Sequence, residues 1–375
     1  MTQPPQPGPW DGQQPGPHGP GYPGGPAQFG APPQQPWPTP LPPKKTGSGK
    51  WIAGAVALAV VIAVTVVVTL HFSSGSSNKG GGKTGISAAA SDVASANDTG
   101  PVGIITEDPS CAAWAPITNT LAGIEGNGWD KRDPSVPVTS WPPETLLQFD
   151  AVGKAMRNAA DQAVPLAKMT PHRVMRELYG QFIAYSRAYA DSLATYTPID
   201  DQLARAGSTA NLTITAVCAA ISFGSATARA ALVPAPAAPT EVAPIGDVAN
   251  PQRMFDTPDP VCPEMQSTID QLLQSPAFKS WVNTDPSVPA SSLTPEVLAL
   301  NAAVAPLMSS TADALEKLAS KSANPIVQDF LLLGVQYRRT YVQSLPTYQP
   351  NDQYIYSTGQ RAPGVLLGAC KYAAR

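Results

Sequence analysis

A pentapeptide that occurs twice constrains this chain more than any other feature. Asp133-Pro-Ser-Val-Pro137 recurs as Asp285-Pro-Ser-Val-Pro289, and the offset of 152 residues holds well beyond it. Trp129 matches Trp281, and Pro143 and Glu144 match Pro295 and Glu296. Leu146, Val152, Met156 and Asp161 match Leu298, Val304, Met308 and Asp313. The ladder continues without a gap through Tyr185, Arg187, Tyr189, Tyr196 and Cys218, against Tyr337, Arg339, Tyr341, Tyr348 and Cys370. Only the first cysteine slips, Cys111 against Cys262, and an Asp-Pro precedes each. A fixed internal period means one fold used twice.

Each copy reads as helices. Val174, Leu178, Phe182, Tyr185, Tyr189 and Leu193 recur at spacings of three and four, which stacks them on one helical face. Ile326, Phe330, Tyr337, Tyr341 and Leu345 repeat the pattern, with Gly334 where Phe182 stood. A preceding helix carries Leu146, Val152, Met156, Ala160 and Ala163, answered by Leu298, Val304, Met308, Ala312 and Leu315. Its start is signed by Pro142-Pro143-Glu144 and Thr294-Pro295-Glu296, with proline in the first turn and an acid at the positive end of the helix. A short connection predicts that these two helices run antiparallel. With a helix at the first cysteine and another ending near the second, each copy is a bundle of about four helices. Four cysteines allow three pairings. Matched units imply matched staples, Cys111 to Cys218 and Cys262 to Cys370.

Upstream stands Ile52 to Phe72, an uncharged apolar run of 21 residues, close to the ~20 that cross a bilayer as a helix. Lys44, Lys45, Lys50 and Trp51 precede it, and Lys79 and Lys83 follow in a Gly/Ser stretch. Lysines before the run, with every cysteine after it, predict an N-terminus in the cytoplasm and modules outside, in an oxidising compartment. Residues 1–50 are Pro/Gly-rich, with few aliphatic side chains, and predict a disordered tail. The expected organisation is therefore all-α: tail 1–50, transmembrane helix 51–72, flexible linker 73–103, module one 104–232, Pro/Ala-rich linker 233–258 and module two 259–375. A Pro/Gly/Gln-rich tail, a Lys-flanked span and an extracytoplasmic domain together resemble the proline-rich single-pass membrane proteins of mycobacteria and related actinobacteria. That resemblance is architectural and implies a cell-envelope setting without an assigned activity.

Chemistry-bearing residues are sparse. The histidines are His18, His71 and His172, and only the last lies in a module, where its counterpart is Asn324. A Ser-His-Asp or Cys-His arrangement has little to draw on. No zinc, calcium or zincin motif occurs, and Asp161, Glu177, Asp191 and Asp200 read as solvated acids before they read as a carboxylate pair. No cofactor, no metal and no catalytic residue is expected. The net charge of −3, with the acidic excess beyond the span, disfavours nucleic acid as a partner. Two features shared by the copies are candidates. Asp161 with Arg187, and Asp313 with Arg339, are placed to bridge neighbouring helices. Phe182, Tyr185, Tyr189, Gly334, Tyr337 and Tyr341 are candidates to line a groove, against the commoner arrangement in which such a stripe is core with its polar ends at the rim, and the space left by Gly334 predicts an asymmetric pocket nearer module two.

The expected function is a non-enzymatic, membrane-anchored envelope protein whose modules bind an envelope partner, with a proline-rich tail that is a solvated spacer or, alternatively, a ligand for a cytoplasmic partner. The alternative is a carrier or sensor of a lipid or other apolar small molecule. Filled bundles with an exposed apolar patch favour the first, and an enclosed apolar pocket favours the second.

Overall fold

The computed structural model describes residues 92–375. The tail 1–50 and the span Ile52–Phe72 lie outside the described residues. Among those described the fold is all-helical, without strands. The first copy comprises α1 (Cys111–Glu125), α2 (Pro143–Met169), α3 (Arg173–Ser192), α4 (Asp201–Ser222) and a short α5 (Ser225–Arg229). The second comprises α6 (Cys262–Gln274), α7 (Pro276–Trp281), α8 (Pro295–Ala319), α9 (Pro325–Ser344) and α10 (Gln353–Ala373).

Helix starts follow local chemistry. Thr294 Oγ1 accepts from Val297 N at α8, and Asn324 Oδ1 accepts from Ile326 N at α9, each with proline at the first position. Before α4 and α10, Asp200 and Asp352 each return a carboxylate oxygen to the backbone N–H three residues earlier, at 2.8 Å.

The repeated pentapeptide is a loop held by its own aspartate and by a tyrosine. Asp133 Oδ1 accepts from Ser135 N, and Asp285 Oδ1 from Ser287 N. Tyr196 then donates to Pro134 O at 3.0 Å, and Tyr348 to Pro286 O at 2.7 Å. The Asp-Pro before each first cysteine has a similar logic. Asp108 accepts from Ser110 N and Thr170 Oγ1, and Asp259 from Val261 N and Ser322 Oγ. Each carboxylate thus ties the start of the cysteine-bearing helix to the turn between the two long helices that follow, α2 and α3 or α8 and α9.

Within each copy the helices pack in sequence, α2 on α3 and α3 on α4, then α8 on α9 and α9 on α10. The copies join through α4 against α10 and α3 against α9, so that each seam helix meets its own counterpart. That is the contact pattern of an isologous dimer, here within one chain. Gly368 makes the closest approach possible, because a Cβ there would stand 2.9 Å from Ala206 N and 3.1 Å from Gln202 O on α4. The described residues, 92–375, accordingly fall within one compact unit.

The linkers differ from expectation. Residues 92–103, assigned to a flexible stalk, form a strap on the bundle that buries Val93, Ser95 and Val102. Ala94 N donates to Lys168 O, and Tyr337 OH accepts from Ile105 N just beyond the strap. Between Leu232 and Asp259 the chain runs without a helix and anchors itself by burying Ala243, Met254 and Phe255. Gln181 holds it, accepting from Met254 N and donating to Gln252 O.

Candidate functional site

Each copy carries its own staple. Cys111 is bonded to Cys218 and Cys262 to Cys370, across separations of 107 and 108 residues. Arg187 meets Asp161 at 2.6 Å, and Arg339 meets Asp313 at 2.6 Å. Arg339 also meets Glu316 at 2.7 Å, while Arg187 donates to Ala249 O on the linker instead. All three acids are exposed, so each pair contributes under about 1 kcal/mol.

Of the two readings of the tyrosine stripe, groove or core, the structure has the core. Phe182, Tyr185, Tyr189, Tyr337 and Tyr341 are all buried. Trp129 Nε1 donates to Tyr189 OH, and Trp114 packs edge-on against Phe182. Gly334 opens no pocket, because a Cβ there would stand 2.5 Å from Pro363 Cγ on α10. The missing ring is replaced by a closer helix, and the asymmetric pocket expected at that position is filled.

At the seam the structure assembles a cluster whose members are far apart in sequence. Arg173, the first residue of α3, forks onto Asp329 of α9, with Nε to Oδ2 at 2.6 Å and Nη2 to Oδ1 at 3.1 Å. Its Nη1 donates to Asp98 O and Gly100 O on the strap, and Asp98 Oδ2 accepts from Arg173 N. Arg176 Nη1 donates to Ser95 O and Oγ, and its Nη2 stands 3.6 Å from Glu177 Oε1.

Glu177 and Asp329 are counterparts under the 152-residue offset, so the duplication brings two homologous carboxyls face to face. Neither oxygen of Glu177 accepts a hydrogen bond. Burial first, and Asp329 beside it second, push Glu177 well above the carboxylate range. Arg173 forks onto Asp329, so the proton the pair holds sits on Glu177. In front of the arginines lies a cleft of about 380 Å³ between the strap (Ser95, Asp98) and the linker (Val242 to Gly246).

The surface carries a second repeated feature. Leu146 is 45% and Leu298 48% exposed, at the same position in the second turn of α2 and α8, and Leu147 is 71% exposed. Both Leu146 and Leu298 were expected on the buried face, which instead begins at Phe149 in α2 and Val304 in α8. Helix α8 is long and apolar enough to cross a membrane by length and composition, yet only 22% of its most apolar stretch is buried. Its inward residues, including Val304, Met308, Ala312 and Leu315, belong to the bundle core.

A family model described as mycobacterial ESX-1 associated protein matches residues 93–374. The chain belongs to that family. The match starts at Val93, the first buried residue of the strap, and takes in both copies as one unit. An uncharacterized protein of Mycolicibacterium smegmatis strain MKD8 is 46% identical over 378 residues, covering 100% of this chain and 97% of that one. The actinobacterial setting read from the tail agrees with both comparisons, although the tail and span lie outside the residues the family model covers. No solved structure matches the chain.

Of the residues in this family fold that stand out, Arg173, Arg176 and Asp329 had no place among the candidates from sequence. A signal existed: an acid at both 177 and 329, in register with a tyrosine stripe, is an acid on a buried face. The exposed leucines carried no such signal, since periodicity places them on the core face.

Proposed function

We propose that this protein serves the ESX-1 secretion system of the mycobacterial envelope without being an enzyme, by docking an envelope protein on the leucines that both copies leave exposed. The observation that carries this reading is the repeated exposure of Leu146 and Leu298 on bundles whose interiors are filled. A single exposed leucine is ordinary. The same leucine exposed at the same register of two copies, on a helix as apolar as α8, is a face prepared for a partner. Two internal disulfides suit an extracytoplasmic compartment, with the span Ile52–Phe72 as anchor and the N-terminus in the cytoplasm.

The carrier reading has less support. The aromatic stripe that would line an apolar chamber is packed, and the cleft at the seam has two guanidiniums in its wall. The test is a double variant, Leu146→Glu with Leu298→Glu, returned to a mycobacterial strain lacking the native chain. Secretion through ESX-1 should fall severalfold while the Tm of the purified variant stays within a few degrees of wild type. Undiminished secretion by a stably folded variant would remove the leucine faces from the function.

A further inference from the structure

Buried polar atoms without partners divide cleanly between the copies. Among the described residues, those of the first copy are carboxylate oxygens, on Glu125 and Glu177. Those of the second are donors or hydroxyls: Nε and Nη1 of Arg338, Nε2 of Gln360 and Oγ1 of Thr340. The second copy thus lacks acceptors only, and its deficit centres on one side chain. Arg338 of α9 is 3% exposed and Gln360 of α10 is 5% exposed. They stand where the first copy has Ser186 and Ser208, so the feature belongs to one copy alone. Arg338 Nη2 donates to Gly359 O at 3.2 Å and to Gln360 Oε1 at 3.0 Å. These bonds hold the guanidinium beside the Gln360 amide and leave Nε and Nη1, on either side of Nη2, without a partner.

No carboxylate answers this cation. The ionisable side chain that acts on it is Tyr356, whose phenol, pushed up to about 12 by burial, is neutral at physiological pH. Burial draws Arg338 down to about 10, which still leaves it charged at neutral pH. Arg361, also buried and drawn down to about 10, adds a second cation beside Tyr356. A buried guanidinium without a counter-charge is costly, and Arg173 and Arg176 at the α3–α9 seam have acids for neighbours. A water molecule could accept hydrogen bonds but would bring no charge.

We propose that Arg338 and Gln360 bind a small inorganic anion, a halide or a compact oxyanion, enclosed between α9 and α10. The anion accepts from Arg338, at Nε or at Nη1, together with Gln360 Nε2, and supplies the charge the protein withholds. The test uses the full chain in detergent, dialysed into a buffer whose only anion is a bulky organic sulfonate. Thermal unfolding is followed by tryptophan fluorescence as chloride, bromide or phosphate is added at constant ionic strength. At least one should raise Tm by a few degrees and saturate, or else a stoichiometric amount of it should be recovered by ion chromatography from the dialysed, denatured chain. Arg338→Met should show neither behaviour. If that variant does not fold, Gln360→Leu should raise the half-saturating concentration severalfold or lose the retained anion. A wild-type Tm that does not respond, or responds without saturation and equally in Arg338→Met, with no anion retained, would overturn the proposal.

Discussion

Glu177 shows how one buried acid couples the seam to pH. Its pKa is raised by burial and by the neighbouring Asp329, so between the ordinary glutamate value and the raised one the folded chain holds a proton that the unfolded chain has released. Stability is therefore complete below the ordinary value and falls as pH rises towards the raised one. Glu125 acts in the same direction, pushed up to about 7 chiefly by burial, with a smaller contribution from Asp130 working against Arg132. Glu177→Gln keeps the size and removes the titration. The variant's urea midpoint should change less than that of wild type between pH 5 and pH 8, and should exceed it at pH 8. A variant with the wild-type slope would show that the pair holds no extra proton.

Helix α10 owes its closeness to both α4 and α9 to small residues. Gly368 lies where a side chain would strike the α4 backbone, and Gly334 lies against Pro363. Gly368→Leu should part α10 from α4 and lower stability by about 1–3 kcal/mol or more, read as a shift in the chemical denaturation midpoint. Most of this element level was legible beforehand. Proline and acid at the starts, the three-four spacing of the tyrosines, and the equal cysteine separations all follow from local rules that hold in both copies. What periodicity could not supply was which apolar position of a helix stays uncovered. Leu146 and Leu298 open the apolar series that continues with Val152 and Val304, but burial begins only at Phe149 in α2 and Val304 in α8. Gly334 misled for a related reason, since a glycine opposite a ring in the other copy looks like space until the neighbouring helix closes on it. Arg338 was legible in principle, four residues after Gly334 and three before Tyr341, and hence on the buried face.

At the scale of the whole molecule, duplication produced one unit with two kinds of asymmetry. The seam pairs like with like, α3 with α9 and α4 with α10, yet its strongest ionic contact runs from Arg173 to Asp329 without a mirror image, because Pro325 stands where the second arginine would be. After α4, the short α5 reaches across to the second copy, where Arg229 forks onto Asp352 at 3.0 and 2.8 Å. Outside this filled interior, the leucine faces repeat. The most direct measurement places a photoreactive amino acid at Leu146, at Leu298 or at the exposed Gln271 of the full chain in mycobacterial cells. Irradiation should join the same envelope protein to positions 146 and 298 and not to 271. Adducts only to lipid, or protein adducts no more abundant at the leucines than at 271, would contradict the account.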